Sequence, residues 1–432
     1  MIVIFNWLKD SEVLLKIKKN NNTHDVLTAN FYKGLEVCPI CKFSDVQSLM
    51  PVFQCPIYHV VEPNTHITKS FFGKMEICEC NRCGHIFNAG FDASRSEEIY
   101  KSQIPTNVPV DISMTAGLKD TVSFVKPDSS TDNVLEIGGG SGDLARLFAA
   151  TSKSVTIIEP GLPDSFEFHK PENLKVRRQM FPEPNINYNA DLVVLRQVLE
   201  HVVHPIEFLT AAIKGLRMGG KFYLEVPRLE YIIENISPVD LHFMHVHYFS
   251  EKILKRIFFK LGLSILNRRE VKDGHDVGYL LEKTTKIEDK FIEPETRNVV
   301  SNWGINFQNK IDLGREKIIS ISKKRVGLYG ACAYSQSLTG FYQSLFAPLV
   351  AIDDAAQYDG KKIFWDGGSC PAKLPTKKAI EGLEVIIITA YLHDRVITKK
   401  LRNLGFKGDI FSARADSLAG RNGHPNSIFE AT

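Results

Sequence analysis

The sequence predicts an α/β protein with a doubly wound central sheet, a small metal-binding domain before it and a smaller α/β domain after it. Three observations support this prediction. From about Met114 onward, apolar runs of strand length alternate with helical stretches. A glycine-rich turn follows the first of these runs and opens a helix. Two C-x-x-C pairs precede this region, and a fresh strand, turn and helix follow it.

Four apolar runs define the central sheet. Each is short and almost continuously apolar, as expected for parallel strands that helices cover on both faces. Helical stretches separate the runs, so the pattern is that of consecutive βαβ units. The strands are predicted at 133–137, 154–158, 191–195 and 221–226.

A second α/β region is predicted near the C-terminal end. After the charged stretch 283–295 and a predicted helix, a strand and turn run from Arg325 to Ala333, and apolar runs at 349–353 and 385–389 add two strands. We therefore divide the chain into an N-terminal extension at 1–32, a cysteine-bearing domain at 33–95, a central domain at 114–284 and a C-terminal domain at 320–432.

Composition narrows the class of protein. The 432 residues are 44% apolar and 24% charged, as in folded globular proteins. A net charge of +3 gives no electrostatic basis for general nucleic-acid binding, so a small-molecule partner is favoured. The apolar start is interrupted by Lys9, Asp10 and Glu12, which predicts neither a signal peptide nor a membrane span. We expect a cytoplasmic protein, and the oligomeric state stays open.

The cysteines predict a zinc site. Cys38 and Cys41 form one C-x-x-C pair, and Cys80 and Cys83 form another. Two such pairs can each hold one side of a tetrahedral zinc ion as thiolates. The other four cysteines show no regular spacing, which favours a metal site in a reducing compartment over a disulfide framework. Four thiolates leave no open coordination position, so this zinc is predicted to be structural.

The glycine-rich turn predicts a nucleotide-cofactor site. Glycines permit a tight turn and a close ligand approach, and the following helix begins at Asp143. The second strand ends in an acidic residue about twenty residues after the turn, where a carboxylate can accept hydrogen bonds from both ribose hydroxyls of an adenosine ligand. The residues concerned are Glu136, Gly138, Gly140, Gly142 and Glu159.

These elements, followed by the segment 191–202 and the turn and strand at 216–227, resemble the class I S-adenosylmethionine (SAM)-dependent methyltransferases. The resemblance implies a Rossmann-like core and SAM as the cofactor, with Gln197 approaching its amino-acid moiety. An NAD-binding domain that uses the same kind of turn is the alternative.

The whole layout resembles a narrower family, the sugar C-methyltransferases that act on nucleotide-linked keto-deoxysugars. Gly330 to Ala333 is similar to that family's G-A-x-A turn, and residues 240–250 are similar to its histidine-rich segment. The resemblance places His245 at or beside the catalytic base and His201 on another active-site histidine. The glutamate that commonly precedes the family's base is replaced by Met244.

The chemistry of such a reaction requires a base. Methylation beside a ketone begins with removal of a carbon-bound proton, which a neutral imidazole can accept near pH 7. His242 and His247 lie close to His245 in sequence and are further candidates. Arg177, Arg178, Arg196 and Arg228 are candidate partners for a substrate diphosphate. Two alternatives remain: O- or N-methylation of another small metabolite or carbohydrate, and a non-catalytic zinc- and cofactor-binding module.

Overall fold

The computed structural model of the chain describes residues 34–95, 112–125, 132–162, 166, 170–183, 188–284 and 303–430. The predicted extension at 1–32 and most of the charged stretch at 283–295 lie outside these ranges.

The cysteine-bearing segment folds into an antiparallel sheet and a hairpin. The sheet has the strand order β1-β4-β5-β11, and the hairpin consists of β2 and β3. The last sheet strand comes from the histidine-rich segment far along the chain. The strands are β1 (Val46–Ser48), β2 (Phe53–Pro56), β3 (Phe72–Met75), β4 (Ile77–Cys80), β5 (Ile86–Asn88) and β11 (His247–Tyr248).

The central sheet has the order β12-β13-β10-β9-β6-β7-β8. Strands β8, β7, β6, β9 and β10 run parallel, while β13 is antiparallel to both β10 and β12. The strands are β6 (Asn133–Ile137), β7 (Ser154–Ile158), β8 (Leu174–Arg177), β9 (Ala190–Arg196), β10 (Leu216–Pro227), β12 (Leu263–Val271) and β13 (Asp276–Lys283).

Helices cover both faces of the central sheet, which confirms the doubly wound core. Leu144 and Phe148 of α2 pack with Val134 on one face, while Leu209 of α3 packs with Leu135 on the other. Adjacent strand residues point to opposite faces, so the continuous apolar run fills both layers. The helices are α1 (Ile112–Val125), α2 (Asp143–Ala149), α3 (Pro205–Lys214), α4 (Leu229–Asn235) and α5 (Glu251–Lys260).

The C-terminal sheet also has a parallel core, with the order β16-β17-β15-β14-β18-β19-β20, and only β16 pairs antiparallel among its described strands. Its strands are β14 (Val326–Tyr329), β15 (Val350–Ile352), β16 (Lys362–Trp365), β17 (Gly368–Lys373), β18 (Val385–Ile388), β19 (Asp409–Ser412) and β20 (Asn426–Ser427). The helices are α6 (Trp303–Ile321), α7 (Ala333–Tyr342), α8 (Lys377–Ile380) and α9 (Asp394–Asn403).

The histidine-rich segment contacts both the cysteine-bearing sheet and the C-terminal region. It contributes β11 to the cysteine-bearing sheet. Asp240 accepts a hydrogen bond from Tyr391 at 2.8 Å, and Ser337 donates to the Leu241 carbonyl at 2.9 Å, so the C-terminal sheet and α7 also hold it. Within the described residues, no helix combines the length and apolar character needed to cross a membrane.

Candidate cofactor, metal and catalytic sites

The four paired cysteines converge on one point. Their sulfur atoms all lie within 4.8 Å of one another, with Cys38 to Cys83 at 3.6 Å and Cys41 to Cys80 at 3.5 Å. Zn–S bonds of about 2.3 Å would separate tetrahedral sulfurs by about 3.8 Å. The donor set and its spacing therefore fit a zinc ion.

Tight turns hold these cysteines in place. The Lys42 amide donates to the Cys38 carbonyl at 2.8 Å, and the Gly84 amide donates to the Cys80 carbonyl at 2.9 Å. Gly84 has a φ of +75°, which L side chains rarely adopt. A hydrogen bond from the Cys83 thiol lowers the pKa of Cys38 to about 6. The sequence thus encodes both the ligands and the turns that direct them inward.

The glycine-rich turn follows β6. Gly138, Gly140 and Gly142 have φ values of +74°, +56° and +77°. A Cβ atom on Gly138 would lie 2.3 Å from Val198, so only glycine allows the loop after β9 to approach this closely. The predicted cofactor turn and the loop that carries His201 are therefore neighbours at the carboxyl end of the sheet.

Two carboxylates flank this turn. Glu159 accepts hydrogen bonds from the Gly140 amide at 2.9 Å and the Gly161 amide at 2.8 Å. Glu136 is only 4% exposed, and among the described residues its Oε2 has no hydrogen-bond partner. Burial raises the pKa of Glu136 to about 8. A buried oxygen without a hydrogen-bond partner is unfavourable unless a ligand donates a hydrogen bond to it. These residues therefore fit a cofactor that carries hydrogen-bond donors.

Gln197 has a different partner from the predicted one. Its side-chain amide donates to Asp276 at 3.0 Å, and its φ of +56° is unusual for a residue other than glycine. The backbone of this residue thus turns sharply right after β9, where the loop meets Gly138. Its proposed contact with the cofactor's amino-acid moiety stays a prediction.

Three of the predicted histidines form a cluster. The ring centroids of His242 and His245 are 3.7 Å apart, and those of His201 and His245 are 4.9 Å apart. Among the described residues, Nδ1 of both His242 and His245 has no hydrogen-bond partner. Burial lowers the pKa of His201 to about 4 and lowers the pKa of His242 and His245 well below the ordinary value. All three rings are therefore neutral near pH 7.

His247 lies elsewhere. Its Nδ1 is 2.9 Å from Nε2 of His85, and its Nε2 is 2.8 Å from the Val202 carbonyl oxygen. Burial lowers the pKa of His247 to about 3, so the ring is neutral. Both ring nitrogens already have partners, which indicates a packing role between β11, β5 and the loop after β9.

The four candidate arginines are also engaged. Arg196 bonds the buried Glu225 at 2.8 Å, Arg228 bonds Glu270 at 3.0 Å and Arg177 bonds Glu183 at 3.1 Å. Arg178 donates to the Leu162 carbonyl at 3.1 Å. The structure thus gives each of them a protein partner and does not bring them together as one diphosphate site.

The sequence interpretation missed two groups near the histidines. Glu200 is only 1% exposed and lies directly before His201, but it was not among the predicted site residues. Tyr334 of α7 places its ring centroid 6.1 Å from that of His242, so the C-terminal region reaches the cluster. Only the resemblance of the Gly330 turn to a family motif pointed toward this helix.

Comparisons with known proteins find similarity in the central region. Residues 111–267 match the family described as a methyltransferase domain. A SAM-dependent methyltransferase from Clostridium acetobutylicum is 13% identical, with 44% of this chain and 98% of that one covered and a TM-score of 0.33. The 1,6-didemethyltoxoflavin-N1-methyltransferase of Burkholderia thailandensis is 16% identical, with 39% and 77% covered and a TM-score of 0.32.

A search of curated protein sequences finds no match. The family match and the sheet order together identify the central region as a methyltransferase domain with a Rossmann-like, class I core.

Proposed function

We propose that this methyltransferase domain methylates a carbon atom beside the ketone of a nucleotide-linked keto-deoxysugar. The observation that carries the proposal is the buried cluster of His201, His242 and His245 at the carboxyl end of the central sheet. It combines neutral rings with two ring nitrogens, Nδ1 of His242 and Nδ1 of His245, that have no hydrogen-bond partner among the described residues, and it lies next to the glycine-rich turn.

The cofactor site would consist of residues at the carboxyl ends of β6, β7 and β9. SAM, when bound, supplies an electrophilic methyl group. The glycine-rich turn would approach the cofactor closely, Glu159 would bind the ribose, and the unpartnered Oε2 of Glu136 would accept a hydrogen bond. The residues proposed are Glu136, Gly138, Gly140, Gly142, Glu159 and Gln197.

The histidine cluster would move the proton. We propose that His245 receives the proton from the carbon beside the ketone, while the C–H electron pair passes into the enolate. The enolate carbon then bonds the methyl group, and the sulfur keeps the electrons of the broken S–C bond. His242, adjacent to His245, would stabilise the developing oxyanion through a ring N–H. His201 donates its Nδ1–H to the Met244 carbonyl, so its Nε2 would position the sugar by accepting a hydrogen bond from a hydroxyl.

The zinc ion would stabilise the fold and take no part in the reaction. Cys38, Cys41, Cys80 and Cys83 would fill its four coordination positions, so no open site for substrate would remain. Metal analysis of the purified chain is expected to give at least one zinc ion, and Cys80→Ser is expected to contain one zinc ion fewer. Full zinc retention in that variant would contradict the assignment.

The function is tested with methyl-labelled SAM and a panel of nucleotide-linked 4-keto-6-deoxysugars, followed by mass spectrometry. The proposal predicts a labelled methyl group on a sugar carbon and deuterium exchange at that carbon in heavy water. Label on oxygen or nitrogen without exchange would support the alternative acceptors. Tight cofactor binding without transfer to any acceptor would support a binding module.

A further inference from the structure

Glu200 is the most unusual carboxylate near the histidine cluster. The residue is 1% exposed, and among the described residues neither of its carboxylate oxygens has a hydrogen-bond partner. Burying such a group is unfavourable unless a proton or a cation compensates it. Burial raises the pKa of Glu200 to about 8.

Glu200 does not stand alone. One ligand atom from each of Glu200, His201 and His245 lies within 4.8 Å of the other two. Oε1 of Glu200 is 3.9 Å from Nε2 of His201. Two donors at about 2.1 Å from one ion are about 3.0–3.4 Å apart at octahedral or tetrahedral angles, so Glu200 and His201 would have to approach each other by roughly 0.5–0.9 Å around the ion.

The tautomer of His201 suits a ligand. Its Nδ1 lies 2.8 Å from the Met244 carbonyl oxygen, which can only accept a hydrogen bond, so Nδ1 carries the proton. The lone pair is then on Nε2, the nitrogen that lies toward Glu200. A histidine that donates to a carbonyl through one nitrogen and presents the other is the usual arrangement in metal sites.

We propose that Glu200, His201 and His245 bind a divalent transition-metal cation beside the cofactor turn. Two imidazoles and one carboxylate suit Fe²⁺, Mn²⁺, Co²⁺ or Zn²⁺ and leave coordination positions for an oxygen of the acceptor. The site is distinct from the four-cysteine cluster, whose donors are all sulfur.

The cation would act as a Lewis acid on the acceptor oxygen. It would stabilise an enolate in C-methylation or an alkoxide in O-methylation, so this inference does not depend on the identity of the acceptor. With the cation bound, His245 is a ligand and His242 becomes the ring that receives the proton. Nδ1 of His242 lacks a partner among the described residues and can accept it.

The test is a Mn²⁺ titration of the full chain with its zinc retained, followed by electron paramagnetic resonance. Mn²⁺ favours oxygen and nitrogen donors over thiolates, so it reports this site and not the cysteines. Wild type is expected to bind one Mn²⁺ per chain. Glu200→Gln and His201→Asn are each expected to weaken binding by about 10- to 100-fold or more.

His204→Asn is the matched control, because His204 is exposed and lies only three residues beyond His201. This variant should bind Mn²⁺ as wild type does. Binding of S-adenosylhomocysteine by each variant verifies its fold, and His201→Asn, at the more exposed ligand, serves if Glu200→Gln does not fold.

Two results would overturn the inference: no Mn²⁺ or Co²⁺ binding by wild type, or equal binding by wild type and both ligand variants. The Mn²⁺ titration needs no sugar substrate. The metal site can therefore be refuted while methyl transfer to a sugar is observed, and it can be supported while no methyl transfer is observed.

Discussion

Two groups of buried histidines differ in their hydrogen bonds. His247 and His275 use both ring nitrogens: His275 lies 2.5 Å from Asp276 and 3.0 Å from Asp240, and His247 bonds His85 and Val202. His242 and His245 each keep an Nδ1 with no partner among the described residues. All four residues are buried, so among these four the nitrogen without a partner distinguishes the pair in the candidate reactive site from the pair that supports the fold.

The largest expected effect is on turnover. His245→Asn removes a ring that the proposals use either as base or as metal ligand, and kcat is expected to fall by about 10² to 10⁴-fold. Single-turnover measurements with bound cofactor would show this loss. His204→Asn is the control and should retain wild-type turnover. Undiminished turnover in His245→Asn would remove His245 from the reactive group.

The second effect is on stability. His275→Ala leaves the buried carboxylates of Asp240 and Asp276 without their shared cation, and removing one partner of a buried ion pair lowers the free energy of unfolding by about 3–5 kcal/mol. Urea denaturation of this variant and of His204→Ala would measure the difference. A change of under about 1 kcal/mol would mean that His275 does not support the fold as described.

The third effect is a pH dependence with a defined direction. Burial lowers the pKa of His275, but Asp276 and Asp240 raise it more, to about 9. The pKa of His275 in the folded protein therefore lies above its unfolded value of about 6.5. As a result, the contribution of the charged ring to the free energy of unfolding is complete below pH 6.5 and is lost as pH rises through about 9.

It follows that wild type and His275→Asn should differ most in stability near pH 6, and that the difference should shrink by about 3 kcal/mol by pH 9.5. Urea denaturation at both pH values measures it. A stability difference that grows with pH would contradict a pKa of His275 that is higher in the folded protein than in the unfolded one.

The smallest effect concerns His247. His247→Phe keeps an aromatic ring but leaves the Val202 carbonyl and His85 without their partner, which is expected to lower the free energy of unfolding by about 1–3 kcal/mol. Turnover per folded molecule should be unchanged. A hundredfold loss of turnover in a stable variant would place His247 with the reactive histidines. Hydrogen bonding of the ring nitrogens would then not distinguish the two groups.

The sequence predicted the central sheet well because buried parallel strands are short, continuous apolar runs. The strand predictions at 133–137 and 154–158 match β6 and β7. By contrast, β11 pairs with β5 across a long sequence separation, and no local pattern marks such a pairing.

The candidate site was predictable only in part. Residue type and spacing drew attention to the cysteines, the glycines and the histidines. Glu200 was not singled out, because what distinguishes it is the absence of a hydrogen-bond partner among the described residues, which the sequence does not reveal. For the same reason, the sequence could not separate His247 from His245.

The strand β11 makes the cysteine-bearing segment inseparable from the histidines. Phe87 of β5 pairs with His247, and Ile77 and Phe91 share one apolar cluster with Phe243 and Met244. An expression fragment that starts after residue 95 would expose this cluster and an unpaired strand edge, and we expect it to aggregate. Engineers who wish to recombine this protein with others should therefore exchange the front segment and the histidine-rich segment together.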